Sequence, residues 1–187
     1  MPSITKEALE ASLKKFLLKK PLDKITINDL TTDCGISRMT FYYHFKDIYD
    51  LVEWSCLEDA KKALQGKKTY ATWQEGISQI FEVVLENKPF ILNAYRSISR
   101  EQIENYLFTL THGVIMEVVE EQSKGLPISA EHKAFIADFY KYSFVGILLD
   151  WIRQGMKADY QSIADNICTT LHGCILKSIH NYTNPEK

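Results

Sequence analysis

The sequence predicts an all-α fold: an N-terminal three-helix head carrying a helix-turn-helix, residues 1–48, followed by a helical-bundle body, residues 49–187, with a connecting helix that runs on to about residue 66. Three observations point there. Only 8 Gly and 5 Pro punctuate 187 residues, so long helices meet few breakers. Apolar side chains recur at the i, i+3, i+4, i+7 spacing of a helix face through most of the chain. Between Thr26 and Phe45, two short amphipathic segments are separated by Cys34, Gly35 and Ile36, and each follows a hydroxyl side chain suited to cap it.

The first helix is expected from Thr5, as its N-cap, to about Lys20, where Pro21 stops it. Leu9, Leu13, Phe16 and Leu17 form its apolar stripe, and lysines crowd the other sides. Thr26 caps a second helix, Ile27 to Asp33, closed by Cys34 and Gly35; Ser37 caps a third, Arg38 to Phe45. A long helix follows from Asp47 to about Gln65, with Val52, Cys56, Ala60 and Leu64 inward, and Gly66, Lys67, Lys68 and Thr69 form the clearest break. Trp73, Ile77, Ile80, Phe81 and Val84 mark the next helix, a short one follows Pro89, and another starts near Arg100 with Ile103, Leu107, Leu110 and Val114 aligned. Two more complete the chain, Glu131 to Arg153 and about Tyr160 to Tyr182.

Composition narrows the function classes. Hydrophobic residues make up 45% and charged residues 25%, as in a globular protein. The most apolar stretch, Ser143 to Leu149, is cut by Asp150, far short of the roughly 18 apolar residues of a spanning helix. With no secretory leader visible either, a cytoplasmic protein without membrane contact is expected. Cys34, Cys56, Cys168 and Cys174 form no CxxC pair, so reduced thiols are expected. His112, His132, His172 and His180 make no HxxxH or HExxH pair, and no phosphate loop or nucleophile elbow appears. No enzyme, cofactor or metal site is therefore expected. Net charge is −2, yet from Met1 to Lys46 eight basic residues face five acidic ones, which leaves a basic head on an acidic body.

The segment after Gly35 carries the chemistry. Glycine supplies the left-handed turn, and the helix that follows is the one that enters a major groove in a helix-turn-helix. Ile36, Phe41 and Phe45 face inward as braces, leaving Arg38, Met39, Thr40, Tyr42, Tyr43 and His44 on or near the outer surface. Arginine forks to guanine, methionine touches a thymine methyl, and hydroxyls and imidazole reach phosphate. The string from Asp33 to Asp47, DCGISRMTFYYHFKD, closely resembles the TetR family signature of Gly, an apolar residue and Ser followed by Thr, an apolar residue, Tyr, a variable residue, His and Phe.

That resemblance implies double-stranded DNA as a partner. It makes Thr26 a phosphate-contacting hydroxyl, Ser37, Arg38, Met39, Thr40 and Tyr43 base or near-base readers, and Tyr42 and His44 backbone clamps, with Lys46 beside them. One position departs: the family's lysine two residues after Lys46 is here Ile48. The rival expectation is a non-DNA-binding or activator-type accessory regulator that keeps the fold and works through a partner. The stretch from Phe139 to Gly155 resembles the dimerising helix of many family members, and with Phe41 to Trp54 it resembles the branch of dihydroxyacetone kinase operon regulators.

Between Glu131 and Arg153 apolar residues cover nearly the whole helix circumference, which demands burial on several sides. A second copy of the chain is expected on one of them. Phe144, Leu148 and Trp151, with Ile167, Leu171, Cys174 and Ile175 of the last helix, are the expected homodimer contacts. Trp73, Phe81, Tyr95, Phe108 and Tyr140 are the expected lining of a small-molecule effector pocket in the bundle. A ligand-responsive repressor acting as a homodimer on a palindromic operator is the expected function.

Overall fold

A computed structural model describes residues 4–183 apart from 64, 66–68 and 70. Among these residues the chain forms ten α-helices and no strand: α1 Ile4–Leu17, α2 Ile27–Cys34, α3 Arg38–His44, α4 Ile48–Ala63, α5 Trp73–Glu86, α6 Lys88–Ser97, α7 Arg100–Gln122, α8 Ala130–Arg153, α9 Tyr160–Leu171 and α10 Cys174–Thr183. No helix among them is long and apolar enough to cross a membrane. Of the expected break after α4, Gly66, Lys67 and Lys68 lie outside the described residues, as does the inward position expected of Leu64.

Three boundaries differ from the sequence reading. Thr5 already lies within helix α1, whose described residues run from Ile4, instead of capping it. The helix ends at Leu17, three residues before Lys20, because the Phe16 carbonyl accepts the N–H groups of both Lys19 and Lys20 and turns the chain. A short 3-10 turn, Leu22–Lys24, then buries Leu22. At the other end, the single final helix expected from Tyr160 to Tyr182 is two helices. Gly173 between them has φ +72, a left-handed conformation that a continuing α-helix excludes.

In one core cluster Leu9, Leu13 and Leu17 of α1 meet Leu30 of α2 and Phe41 of α3. Leu51 and Val52 of α4 and Phe90 and Ala94 of α6 complete the same cluster. A polar tie runs beside it. Lys14 Nζ donates to Glu10 Oε1 at 2.8 Å and Asp59 Oδ2 at 2.7 Å, and Ser55 Oγ donates to Glu10 Oε1 at 2.8 Å, joining α1 to α4. Burial alone would lower the Lys14 ammonium, but its hydrogen bonds to Asp59 and Glu10 outweigh that and hold it above the usual lysine range. Asn93 of α6 adds a hydrogen bond to the Leu17 carbonyl at 3.4 Å.

In the body α8 is the central element, with α7 packed along it and α6 and α10 also against it. Phe81 of α5, fully buried, meets Phe144 and Trp151 edge-on with ring centroids 6.1 and 5.1 Å apart. A second cluster joins Val119 of α7, Ile136 and Tyr140 of α8 and Ile179 of α10.

Candidate nucleic-acid interface

The geometry of α3 is fixed by the residues just before it. Thr26 and Asp29 form a reciprocal capping box: Asp29 N–H donates to Thr26 Oγ1 at 3.1 Å, and Thr26 N–H donates to Asp29 Oδ2 at 2.8 Å. The Thr26 hydroxyl also donates to Asp29 Oδ2 at 2.9 Å, and Lys20 Nζ reaches the same oxygen at 2.8 Å. The Lys20 ammonium first, and then the Thr26 donors, lower the Asp29 carboxyl to about 2. Thr26 is thus exposed at the start of α2, with its hydroxyl proton committed locally.

Gly35 closes α2 at φ +66, where a residue with a Cβ is strained, and Ile36 N–H bonds back to the Thr31 carbonyl at 2.9 Å. Ser37 then caps α3, its Oγ accepting from Thr40 N–H at 3.0 Å and hydrogen-bonding Thr40 Oγ1 at 2.9 Å. Phe41, fully buried, pins the helix to the head core. The remaining face points outward: Met39 is 78%, Tyr43 85% and Tyr42 49% exposed, and Arg38 is exposed as well. Thr40 and His44 are half-buried at its edge, with the His44 ring edge-on to Tyr43 at 5.0 Å. The nine DNA-facing residues expected from sequence therefore fall on or beside α3, except Thr26 at the start of α2.

Part of the head's basic charge is locally paired. Lys14, Lys15 and Lys20 are each held by a carboxylate, of Glu10 and Asp59, Asp33, and Asp29 respectively, and Lys6 lies over the rings of Phe45 and Trp54 at 5.0 and 5.3 Å. The side chains of Arg38 and Lys46 have no such partner among the described residues, so they are the free cations flanking α3. The Thr26-x-x-Asp29 spacing and the Glu10/Lys14 pair were signals of this wiring in the sequence. The bonds from Asp59 and Ser55 depend on tertiary packing and had none.

Ile48 is half-buried and packs on the head core that contains Phe45 and Val52. A lysine there must desolvate its ammonium or leave the core, so Ile48→Lys is expected to cost about 1–2 kcal/mol of stability. Its salt dependence of DNA binding should match wild type. A steeper salt slope at unchanged melting temperature would instead place this position on phosphate.

The packing of the single chain bears on two expectations about the body. Phe144, Leu148, Trp151 and Ile167 are only 2–6% exposed in the single chain, because Phe81 and its neighbours consume them as core. Leu171, Cys174 and Ile175 are half-buried. The apolar residues that α8 leaves uncovered are others: Phe135, Phe139, Tyr142 and Ile147, at 60, 59, 56 and 41% exposure.

The second expectation concerns the pocket. A cavity of about 440 Å³ lies among α4, α5, α6, α7 and α8, and of the five expected aromatics only Tyr95 lines it. Trp73 and Tyr140 line a smaller space of about 90 Å³. Phe81 and Phe108 line neither: Phe81 fills the core, and Phe108 packs edge-on against Tyr142 at 4.9 Å under the Lys141 ammonium. The cavity wall instead includes Val52, Cys56 and Asp59 of α4 and Tyr106 of α7. Burial, with the Asp59 carboxylate adding to it, pushes the Cys56 thiol up to about 12, which leaves it unreactive.

Comparison with known proteins places this architecture among others. The TetR C-terminal family model, described as the transcriptional regulator C-terminal region, matches residues 71–173. The chain is 20% identical over 121 residues to the HTH-type dhaKLM operon transcriptional activator DhaS of Lactococcus lactis subsp. lactis (strain IL1403). That stretch covers 65% of this chain and 64% of the relative, so it spans under two thirds of the curated protein's length. Among solved structures, the chain is similar to the dihydroxyacetone kinase operon activator DhaS, with a TM-score of 0.71 at 18% identity over 97% of this chain and 99% of that one. It is also similar to the TetR family repressor AlkX from Dietzia sp. strain DQ12-45-1b, with a TM-score of 0.61 at 16% identity over 92% and 97% of the two chains. At these identities the likeness is one of fold.

Proposed function

Because this chain belongs to the TetR family of transcriptional regulators, we propose that it binds a palindromic DNA operator as a homodimer in the cytoplasm and releases or grips it in response to a small molecule. The observation that carries this reading is the outer face of α3. Arg38, Met39, Tyr42 and Tyr43 stand exposed on a short helix whose entry is fixed by Gly35 and Ser37 and whose back is pinned by Phe41. A groove-reading helix needs this combination of long, polar or aromatic side chains in front and a rigid seat behind.

The second copy supplies the other half-site. Docking through the uncovered α8 face would bring two α3 helices to one side of DNA, and one helical turn sets their spacing at about 34–36 Å or a modest excess over that. Control would come through α4, whose first turns sit in the head core and whose middle walls the 440 Å³ cavity. A ligand that fits one pose of α4 better than another shifts the dimer between gripping and releasing states. Repression by blocking a promoter is the simplest outcome. The likeness to DhaS favours a second reading, activation, since that relative's name is operon activator.

Arg38→Ala tests the core of the proposal. Loss of a bidentate guanine contact should weaken the preferred site by about 1–3 kcal/mol and relax base choice at one position per half-site. Mobility shifts on DNA upstream of the protein's own gene, at several salt concentrations, read both effects. Equal loss on cognate and random DNA would move Arg38 to backbone positioning. A wild-type protein with no salt-dependent shift on any such DNA would favour an accessory regulator that acts through a partner.

A further inference from the structure

The main cavity has an apolar interior and a one-sided polar edge. The charged groups lining it are the carboxylates of Asp47, Asp50, Glu53 and Asp59 against the single ammonium of Lys46. Three of those carboxylates are already engaged. Asp47 accepts the Asp50 N–H at 2.9 Å, Asp50 accepts the Lys46 N–H at 2.8 Å, and Asp59 holds Lys14 at 2.7 Å. Glu53 is exposed and has no hydrogen bond or ion pair among the described residues.

Tyr106, on the α7 wall of the same cavity, has a buried hydroxyl with no hydrogen-bond partner among the described residues. Burial chiefly, with Cys56, Glu53, Asp59 and Glu58 adding to it, raises this phenol far above the ordinary tyrosine range, so it stays protonated. An orphaned hydroxyl in an apolar wall costs stability until something polar meets it. Tyr49 and Tyr95 also line the space, and aromatic faces attract cations. An anionic head group in this cavity would meet the carboxylates of Asp47, Asp50, Glu53 and Asp59 against the one lining ammonium among the described residues, that of Lys46.

We propose that the effector of this cavity is a protonated amine carried on an apolar body, with its N–H groups shared between the Glu53 carboxylate and the Tyr106 oxygen and its hydrocarbon against Ile80, Leu107 and Ile152. The cavity's 440 Å³ lies within the range of small-molecule sites, roughly 300–1,000 Å³. This rests on the reading that the cavity is where an effector binds, and it adds the sign of the ligand's charge and the residue that selects it.

Calorimetric titration of the full-length protein at neutral pH with decylamine, decanol and decanoate separates the two. The amine, protonated at that pH, is expected to bind at least about tenfold tighter than decanoate, with decanol between them. Glu53→Gln, an exposed position, should leave the melting temperature unchanged and remove most of the amine's advantage over decanol. Tyr106→Phe should raise the melting temperature of the free protein while weakening the amine more than decanol. Decanoate binding as tightly as the amine, or an amine affinity indifferent to Glu53→Gln, overturns the charge assignment while leaving the cavity as a ligand site. Binding by none of the three probes overturns both.

Discussion

A chain carrying Phe135→Glu and Phe139→Glu together is expected to sediment as a folded monomer and to lose at least about 100-fold in operator affinity, because only one half-site is then engaged. Both rings stand uncovered on α8, 60% and 59% exposed, in one row with Tyr142. Each is worth about 1.5–3 kcal/mol when fully buried, and a two-fold interface counts each contact twice. Carboxylates in their place would face their own symmetry mates and repel. Since neither side chain supports the subunit core, the melting temperature of the monomer should stay within a few degrees of the parent's monomeric limit. Wild-type protein that already sediments as a monomer at micromolar concentration would defeat the dimer.

Phe81→Ala is expected to cost about 3–5 kcal/mol, the loss typical of a large aromatic removed from a packed core. For a chain of this length each kcal/mol moves the melting temperature by about 2–4 °C, so a fall of roughly 10 °C is expected by calorimetry. The ring is fully buried against Phe144 and Trp151. A pocket-lining Phe81 would behave in the opposite way, changing ligand affinity while leaving melting nearly untouched. A drop below about 1 kcal/mol would therefore return Phe81 to the ligand site.

The two outcomes show where sequence reasoning reached and where it stopped. The head was legible because its signals are local. Thr26 and Ser37 cap the helices they precede, Gly35 occupies the left-handed turn, and Phe41 falls inward with its neighbours outward, all within a few residues of chain. The body was legible only as helices. A helix apolar all round has several inward faces, and periodicity does not say which of them the subunit itself covers. So Phe144, Leu148 and Trp151 looked like interface and are core, while Phe135 and Phe139 carry the free face. The cavity wall was illegible for the same reason: Phe81 and Phe108 are aromatic at helical spacing, and only tertiary packing shows that they fill space while Tyr106 borders the 440 Å³ cavity. Which lysines of the head are held by a carboxylate was only partly legible, since Asp59 reaches Lys14 from a distant helix while Glu10, Asp29 and Asp33 lie in the head itself.

The shared cluster around Leu9, Leu13 and Phe41 bears on how such a protein changes over generations. Its last members, Phe90 and Ala94, come from a helix more than forty residues downstream of the reading helix. Exchange of the first 48 residues with those of a relative would set a foreign α1 against this seam, with Leu17 and Lys14 missing their matches at Asn93 and Phe90. Such a chimera is therefore expected to melt below the parent, whereas substitutions among the outward residues of α3, which the seam leaves free, should leave melting nearly unchanged.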